Sequence, residues 1–241
     1  MDLEEFKNCL KLENKILSVI LSNDYDASCV EPKHRCIISD IDNLDSNDTL
    51  KISKDNLKCP GANCGAGFYD GNPQIPGGFE YFLSYGKGEN YPTGERVKKT
   101  PEIASEMFEN QPKDIINNNK YILIKHFKED DEAQSVILKV NLDQLSVLIY
   151  LFNFESSIYD PVYTATSAGC ASVFRIPLYE SLSGQNKGVI SNLDISSRIY
   201  TDKDEVYFTV PGVKFKKMLE NAGESLLITK EWEKIRKRIK N

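Results

Sequence analysis

The sequence predicts a single-domain protein of mixed α/β (α+β) class, built as a mixed sheet with flanking helices. Three observations predict it. Short runs rich in Ile, Val, Leu and Tyr recur along the chain, each of strand length. Between them lie stretches with helical spacing of apolar residues and readable caps. Finally, 241 residues with 40% hydrophobic and 27% charged content suffice for a sizeable core without disulfide support.

The elements follow in order. Leu3, Phe6 and Leu10 share one helical face, so residues 2–11 open the chain as a short helix. "KILSVILS" (15–22) reads as a strand, residues 34–44 as helix or strand, and "TLKIS" (49–53) as a strand. In "CPGANCGAGF" Pro60 falls where a first helical residue would be, which puts Cys59 at the cap. Residues 78–86 form a further short helix, followed by the Gly-rich, partly basic loop "GKGENYPTGERVKKT". Thr100, Pro101 and Glu102 then start a helix, by cap, fixed φ and dipole respectively. The polar stretch 110–120 reads as a linker and a half boundary.

Beyond it, "YILIKHF" (121–127) and "SVILKV" (135–140) are strands, and "LDQLSVLIYLFN" is a helix buried on more than one face. "TSAGCASVFRIPLYES" starts as a helix capped by Thr166 or Ser167, holds Cys170 in its first turn, and breaks near Pro177. "KGVISNLD" and "DEVYFTVP" are strands and "PGVKFKKMLENA" a helix. In the closing helix "TKEWEKIRKRIK", Trp232, Ile235 and Ile239 share a face.

A net charge of −6 argues against a nucleic-acid partner, since neutralising phosphates needs a basic footprint. The acidic, amphipathic "MDLEEFKNCL" lacks the basic leader and apolar core of a signal peptide. The most apolar run, Leu142 to Phe152, is too short to cross a bilayer, so no membrane partner is expected. The expected compartment is the cytoplasm, where six cysteines stay reduced unless they are catalytic or bind metal.

Cys9 and Cys29 read as small hydrophobes. Cys36, Cys59, Cys64 and Cys170 differ in context. Cys59 and Cys170 each fall in the first turn of an expected helix beside Gly and Ala, where unpaired N–H groups favour thiolate. Thiolates are the ligands of soft metals and iron–sulfur clusters, and small neighbours let backbone approach a bulky inorganic guest. Cys59-x4-Cys64 is half of a plant-type ferredoxin spacing, without the CxxC that completes it. An internal echo points to duplicated halves: Cys36 to Cys59 spans 23 residues and Cys170 to Asp194 spans 24. Asp194 would then take the fourth corner of a site built from Cys36, Cys59 and Cys170.

The strings "CPGANCGAGF", "GGFEYFLSYG…GERVKKTPE", "AGCASVFRIPLYES", "GVISNLDISSR", "DEVYFTVP" and "ESLLITKEW" together resemble the uncharacterised prokaryotic family called domain of unknown function 169, or ArCR. The resemblance covers about residues 15 to 235. It implies a ligand or site role for a Cys ahead of the Cys-x-Gly block, for that block, and for the Cys of the "GC" segment. Those positions are Cys36, Cys59 and Cys170 here, and many members add a fourth Cys shortly before an Arg. Arg198 matches that arginine, while the fourth position is Asp194. The family implies no activity.

The three-cysteine set therefore has four readings: an iron–sulfur cluster, [4Fe–4S] by preference; zinc or another metal; a reactive thiol; or buried small residues in tight turns. A fourth cubane corner could fall to Asp194, Cys64 or water, or stay open to substrate. An open corner suits lyase or desulfurase-type chemistry; closure by Cys64 suits electron transfer. Arg96, with Lys98 and Lys99, could clamp an anionic substrate or form a solvated loop. Glu180 and Arg198 could pair beside the same pocket or elsewhere as a structural salt bridge. His34 is a candidate ligand or donor, and His126 a core or edge histidine. P-loop, GxGxxG, HExxH and nucleophile-elbow patterns do not occur. The expectation taken forward is a cluster-binding protein of an oxygen-poor cell, acting on a small anionic or sulfur-containing molecule or serving a redox partner. The alternatives are a metal-free small-ligand module and a structural zinc protein.

Overall fold

The computed structural model describes residues 1–12, 15–24, 26–86 and 94–239. Residues 87–93 of the loop expected at 86–100 lie outside them. Seven strands form one mixed sheet: β1 (Ile16–Ser22), β2 (Thr49–Ser53), β3 (Tyr121–His126), β4 (Ser135–Asn141), β5 (Val162–Thr164), β6 (Gly188–Ser191) and β7 (Glu205–Pro211). Their order is β2-β3-β1-β4-β7-β6-β5. Every neighbouring pair is antiparallel except β5 with β6. The three-residue β5 carries too little pattern to be read from sequence.

Side chains alternate across the sheet, and the alternation separates two cores. On β4, Val136, Leu138 and Val140 join one cluster and Ile137 the other; on β7, Phe208 and Val210 oppose Tyr207. The first core is covered by α1 (Leu3–Leu10), α6 (Leu142–Phe152), α9 (Gly212–Asn221) and α10 (Lys230–Arg236). Asp2 and Glu5 form a capping box on α1, and Asn141 and Gln144 form one on α6. Phe215 stands edge-on to Phe6 and Phe127, with centroids 5.8 and 4.8 Å away. Cys9 accepts from Trp232 Nε1 at 3.3 Å, which gives that thiol a structural place between chain ends.

The second core is covered by α2 (Ile37–Asp42), α3 (Pro60–Ala66) and a helical segment over 169–182 that ends in α7 (Ile176–Leu182). The stretch 34–44, open between helix and strand, thus holds a helix over Ile37–Asp42. Two further helices, α4 (Phe79–Leu83) and α5 (Pro101–Glu109), pack beyond α3 around Cys64, Ala104 and Phe108. The short α8 (Ile195–Arg198) follows β6. Among the described residues no helix is long and apolar enough to cross a membrane.

Four expectations are corrected. Helix α6 buries one broad face only: Leu142 and Tyr150, 76% and 71% exposed, flank Ser146 on a solvent stripe. The 110–120 stretch is no solvated linker, since Ile115 and Ile116 are buried in the second core. Beyond it β3 inserts between β1 and β2, so the two sequence halves interleave in the sheet and no duplication is shown. Pro177 does not break its helix. A π turn over Ala171–Arg175 widens the ladder just before it, and α7 runs on through the proline.

Candidate functional site: a cavity lined by three cysteines

Cys36 is the N-cap residue of α2 and Cys59 that of α3, with Pro60 at the first helical position. Cys170 lies in the first turn of the 169–182 segment. All three line one cavity of about 710 Å³, together with Asp194. A more open cleft of about 820 Å³ at the β2–β3 edge is lined by lysines and asparagines and contains none of the cysteines.

Local contacts fix this convergence. The Asp40 carboxylate accepts from the backbone N–H groups of Lys33 and His34 and faces His34 Nδ1 at 2.9 Å, tying down the loop before Cys36. His34 is thereby committed to Asp40. Lys58 Nζ donates to Lys33 O at 2.7 Å, joining the loops before Cys59 and Cys36. A Cβ built on Gly65 would stand 2.6 Å from Cys170 Cβ, so only glycine lets α3 pass this close to the Cys170 helix. Arg175, from the π turn, donates to Cys64 O, Tyr69 O, Pro112 O and Asp70 Oδ1 at 2.6–2.9 Å, which locks the far end of α3.

At Cys170 the expected thiolate preference is reversed. Burial pushes the Cys36 thiol up, against the N–H groups of Ile38 and Ser39, which pull it down. Burial also pushes Cys170 well up, and negative charge on Cys36, Cys59 or Asp194 would raise it further. The helix-start N–H groups are thus outweighed by desolvation. A cationic guest would release these protons, as metal binding to thiols does.

The other sequence candidates separate. Cys64 faces away from the cavity. Its thiol donates to Gly71 O at 3.2 Å, and burial raises it to about 11. Asp194 lines the cavity, but its Oδ2 accepts from Gly169 N–H at 3.2 Å and from Ser196 Oγ at 2.6 Å. It therefore caps the Cys170 helix, the role expected of Thr166 or Ser167. Arg96 is exposed and does not line the cavity; Lys98, two residues on, does. Glu180 accepts from Tyr163 OH at 2.8 Å and from Lys187 N–H at 3.1 Å. Arg198 instead donates to Thr201 Oγ1, Asp202 O, Lys203 O and Glu205 O, holding the 201–205 loop. The two are not a pair, and neither lines the cavity. His126 closes β3, an interior strand, and is half-buried with its Nε2 3.2 Å from Leu44 O.

Sequence reasoning missed Glu95 and an apolar wall that includes Ile75, Phe79, Met107, Leu193 and Ile195. Burial, then the nearby Asp194, raises the Glu95 carboxyl from 4.5 to about 7. A raised carboxyl stabilises the fold fully below about pH 4.5, and that contribution is lost as pH rises through about 7. Wild type should therefore lose on the order of 1–2 kcal/mol between about pH 5 and pH 8, allowing for water reaching this half-exposed group. Glu95→Gln should lack that decline. Urea midpoints at the two pH values check it.

The blocks that carry the sequence resemblance are now tied to geometry: "CPGANCG" and "AGCASVFR" meet at Gly65 and Cys170. The family model for domain of unknown function 169, described as uncharacterised ArCR, matches residues 5–221. The chain belongs to the ArCR family. No curated protein and no solved structure matches it.

For a metal guest the donor set is the test. In this ArCR protein no group of three or more His, Cys, Asp or Glu among the described residues could hold one metal ion. The three thiols nonetheless share one cavity, with Gly61, Ala62, Ala168 and Gly169 beside them. Thiols are the donors that soft metals and iron–sulfur clusters use, so Cys36, Cys59 and Cys170 are the residues that would hold such a group.

Proposed function

We propose that the protein holds an iron–sulfur cluster, [4Fe–4S], on Cys36, Cys59 and Cys170, and that the corner without a cysteine faces a small anionic or sulfur-containing molecule or a redox partner. The observation that carries this reading is the meeting of three thiols from three helix starts in one cavity. When bound, such a cluster supplies a Lewis-acidic iron or an electron. The chain does the rest. Asp194 holds the Cys170 turn through Gly169 N–H, and Gly65 sets the approach of α3 to Cys170. Glu95 stands at the cavity with a carboxyl able to keep or release a proton near neutrality. The setting that suits such chemistry is a reducing, oxygen-poor cytoplasm.

Purification without oxygen, followed by reconstitution with iron and sulfide, is the test. Brown protein with iron and acid-labile sulfide in near-equal amounts is expected. A mostly apolar cavity wall favours one alternative, a metal-free module for a small ligand. Protein that stays colourless and iron-free after reconstitution would replace the cluster with that module.

A further inference from the structure

The cavity is larger and greasier than a cluster needs. The cysteines and their Gly and Ala neighbours make up only part of the lining of its roughly 710 Å³. Also lining it are Ile75, Phe79 and Met107 from the α4–α5 region, and Leu193 and Ile195 from around α8. A concave, apolar chamber of this size with a few polar groups is the usual form of a small-molecule site.

Four charged side chains line it: Arg35, Glu95, Lys98 and Asp194. Asp194 accepts from Gly169 and Ser196 and keeps its negative charge, which helps raise the Glu95 carboxyl. The Glu95 carboxyl favours its neutral form up to about 7. No ion pair joins Lys98 or Arg35 to a carboxylate among the described residues. With Glu95 neutral, the two cations Arg35 and Lys98 stand against the single carboxylate of Asp194, so the chamber carries net positive charge below about pH 7.

We propose that this chamber binds a small carboxylate with an apolar body, a medium-chain alkyl or aryl acid, with its carboxylate on Lys98 and its hydrocarbon against Met107, Phe79 and Ile195. The inference rests on the reading that this cavity is the functional site, and it deepens that reading by naming the substrate class. It does not require the cluster.

The test is a binding series: butanoate, hexanoate and octanoate, with octan-1-ol and octylamine as head-group controls. Each is titrated into protein before and after reconstitution with iron and sulfide. Affinity should rise about three- to fourfold per added CH₂. Octanoate should bind about tenfold or more tighter than octan-1-ol, the size of a charge-assisted hydrogen bond. Lys98→Met should erase the preference for octanoate over octan-1-ol and keep the chain-length slope. Met107→Gln should flatten the slope, and Val97→Ser, at the cavity edge, gives a milder version should the first variant fold poorly by circular dichroism. A flat chain-length series, or octylamine binding as tightly as octanoate, would overturn the proposal. A sloped series on protein that never takes up iron supports the carboxylate site and removes the cluster. Brown protein with a flat series does the reverse.

Discussion

Cys170→Ala protein, purified without oxygen and reconstituted, is expected to be colourless. Cys170 lies within the electrostatic reach of Cys36, Cys59 and Asp194. Removing its sulfur takes away the one ligand contributed by the 169–182 segment and leaves two, too few to hold a cubane. The fold should survive, because alanine keeps the Cβ that packs against Gly65. Cys64→Ala is the informative partner. Its thiol faces the α4–α5 core and Gly71 O, so this variant should stay brown and lose about 1 kcal/mol of stability. Absorbance, iron content and sulfide content decide the matter. Colour kept in Cys170→Ala, or lost in a folded Cys64→Ala, would mean the guest is held by other thiols.

Arg175→Met should produce the largest loss of stability, about 3–5 kcal/mol, because it breaks a buried, multiply bonded cation out of its partners. Arg175 is 2% exposed, and its guanidinium serves three carbonyls and the Asp70 carboxylate. Methionine fills much of the volume but leaves those oxygens without donors. Thermal unfolding should drop by roughly 6–20 °C for a chain of this size. The same change frees the end of α3 from the Cys170 helix, so cluster retention should fall as well. A shift under about 1 kcal/mol in urea unfolding would show that water replaces the guanidinium, and that Arg175 does not lock the two cysteine helices together.

Much of the fold was legible because it is written in neighbours. Pro60 after Cys59, Thr100 before Pro101, and the β-branched runs of β1 to β4 declare helix starts and strands within a few residues. Caps and periodicity are local, so local sequence carries them. Three of the four cysteines singled out also prove to share a cavity. Elsewhere pattern misled. The apolar sequence of α6 concealed a solvent stripe at Leu142 and Tyr150, because apolar residues on a surface cost little when isolated. The polar look of 110–120 hid Ile115 and Ile116, whose burial depends on β3 returning between β1 and β2.

By itself the sequence determined the kind of elements, their order, and a short list of thiols with the right neighbours. Tertiary structure alone decided that Cys64 turns inward to Gly71, that Asp194 caps Gly169, and that Glu180 and Arg198 take separate partners. It also brought Glu95, Lys98 and an apolar wall into the cavity that holds the cysteines. The physical reason is range. A cap or a strand is set by hydrogen bonds a few residues apart, whereas the direction of a side chain across a cavity follows from sheet register and close approaches such as Gly65 on Cys170. Those approaches join positions more than a hundred residues apart.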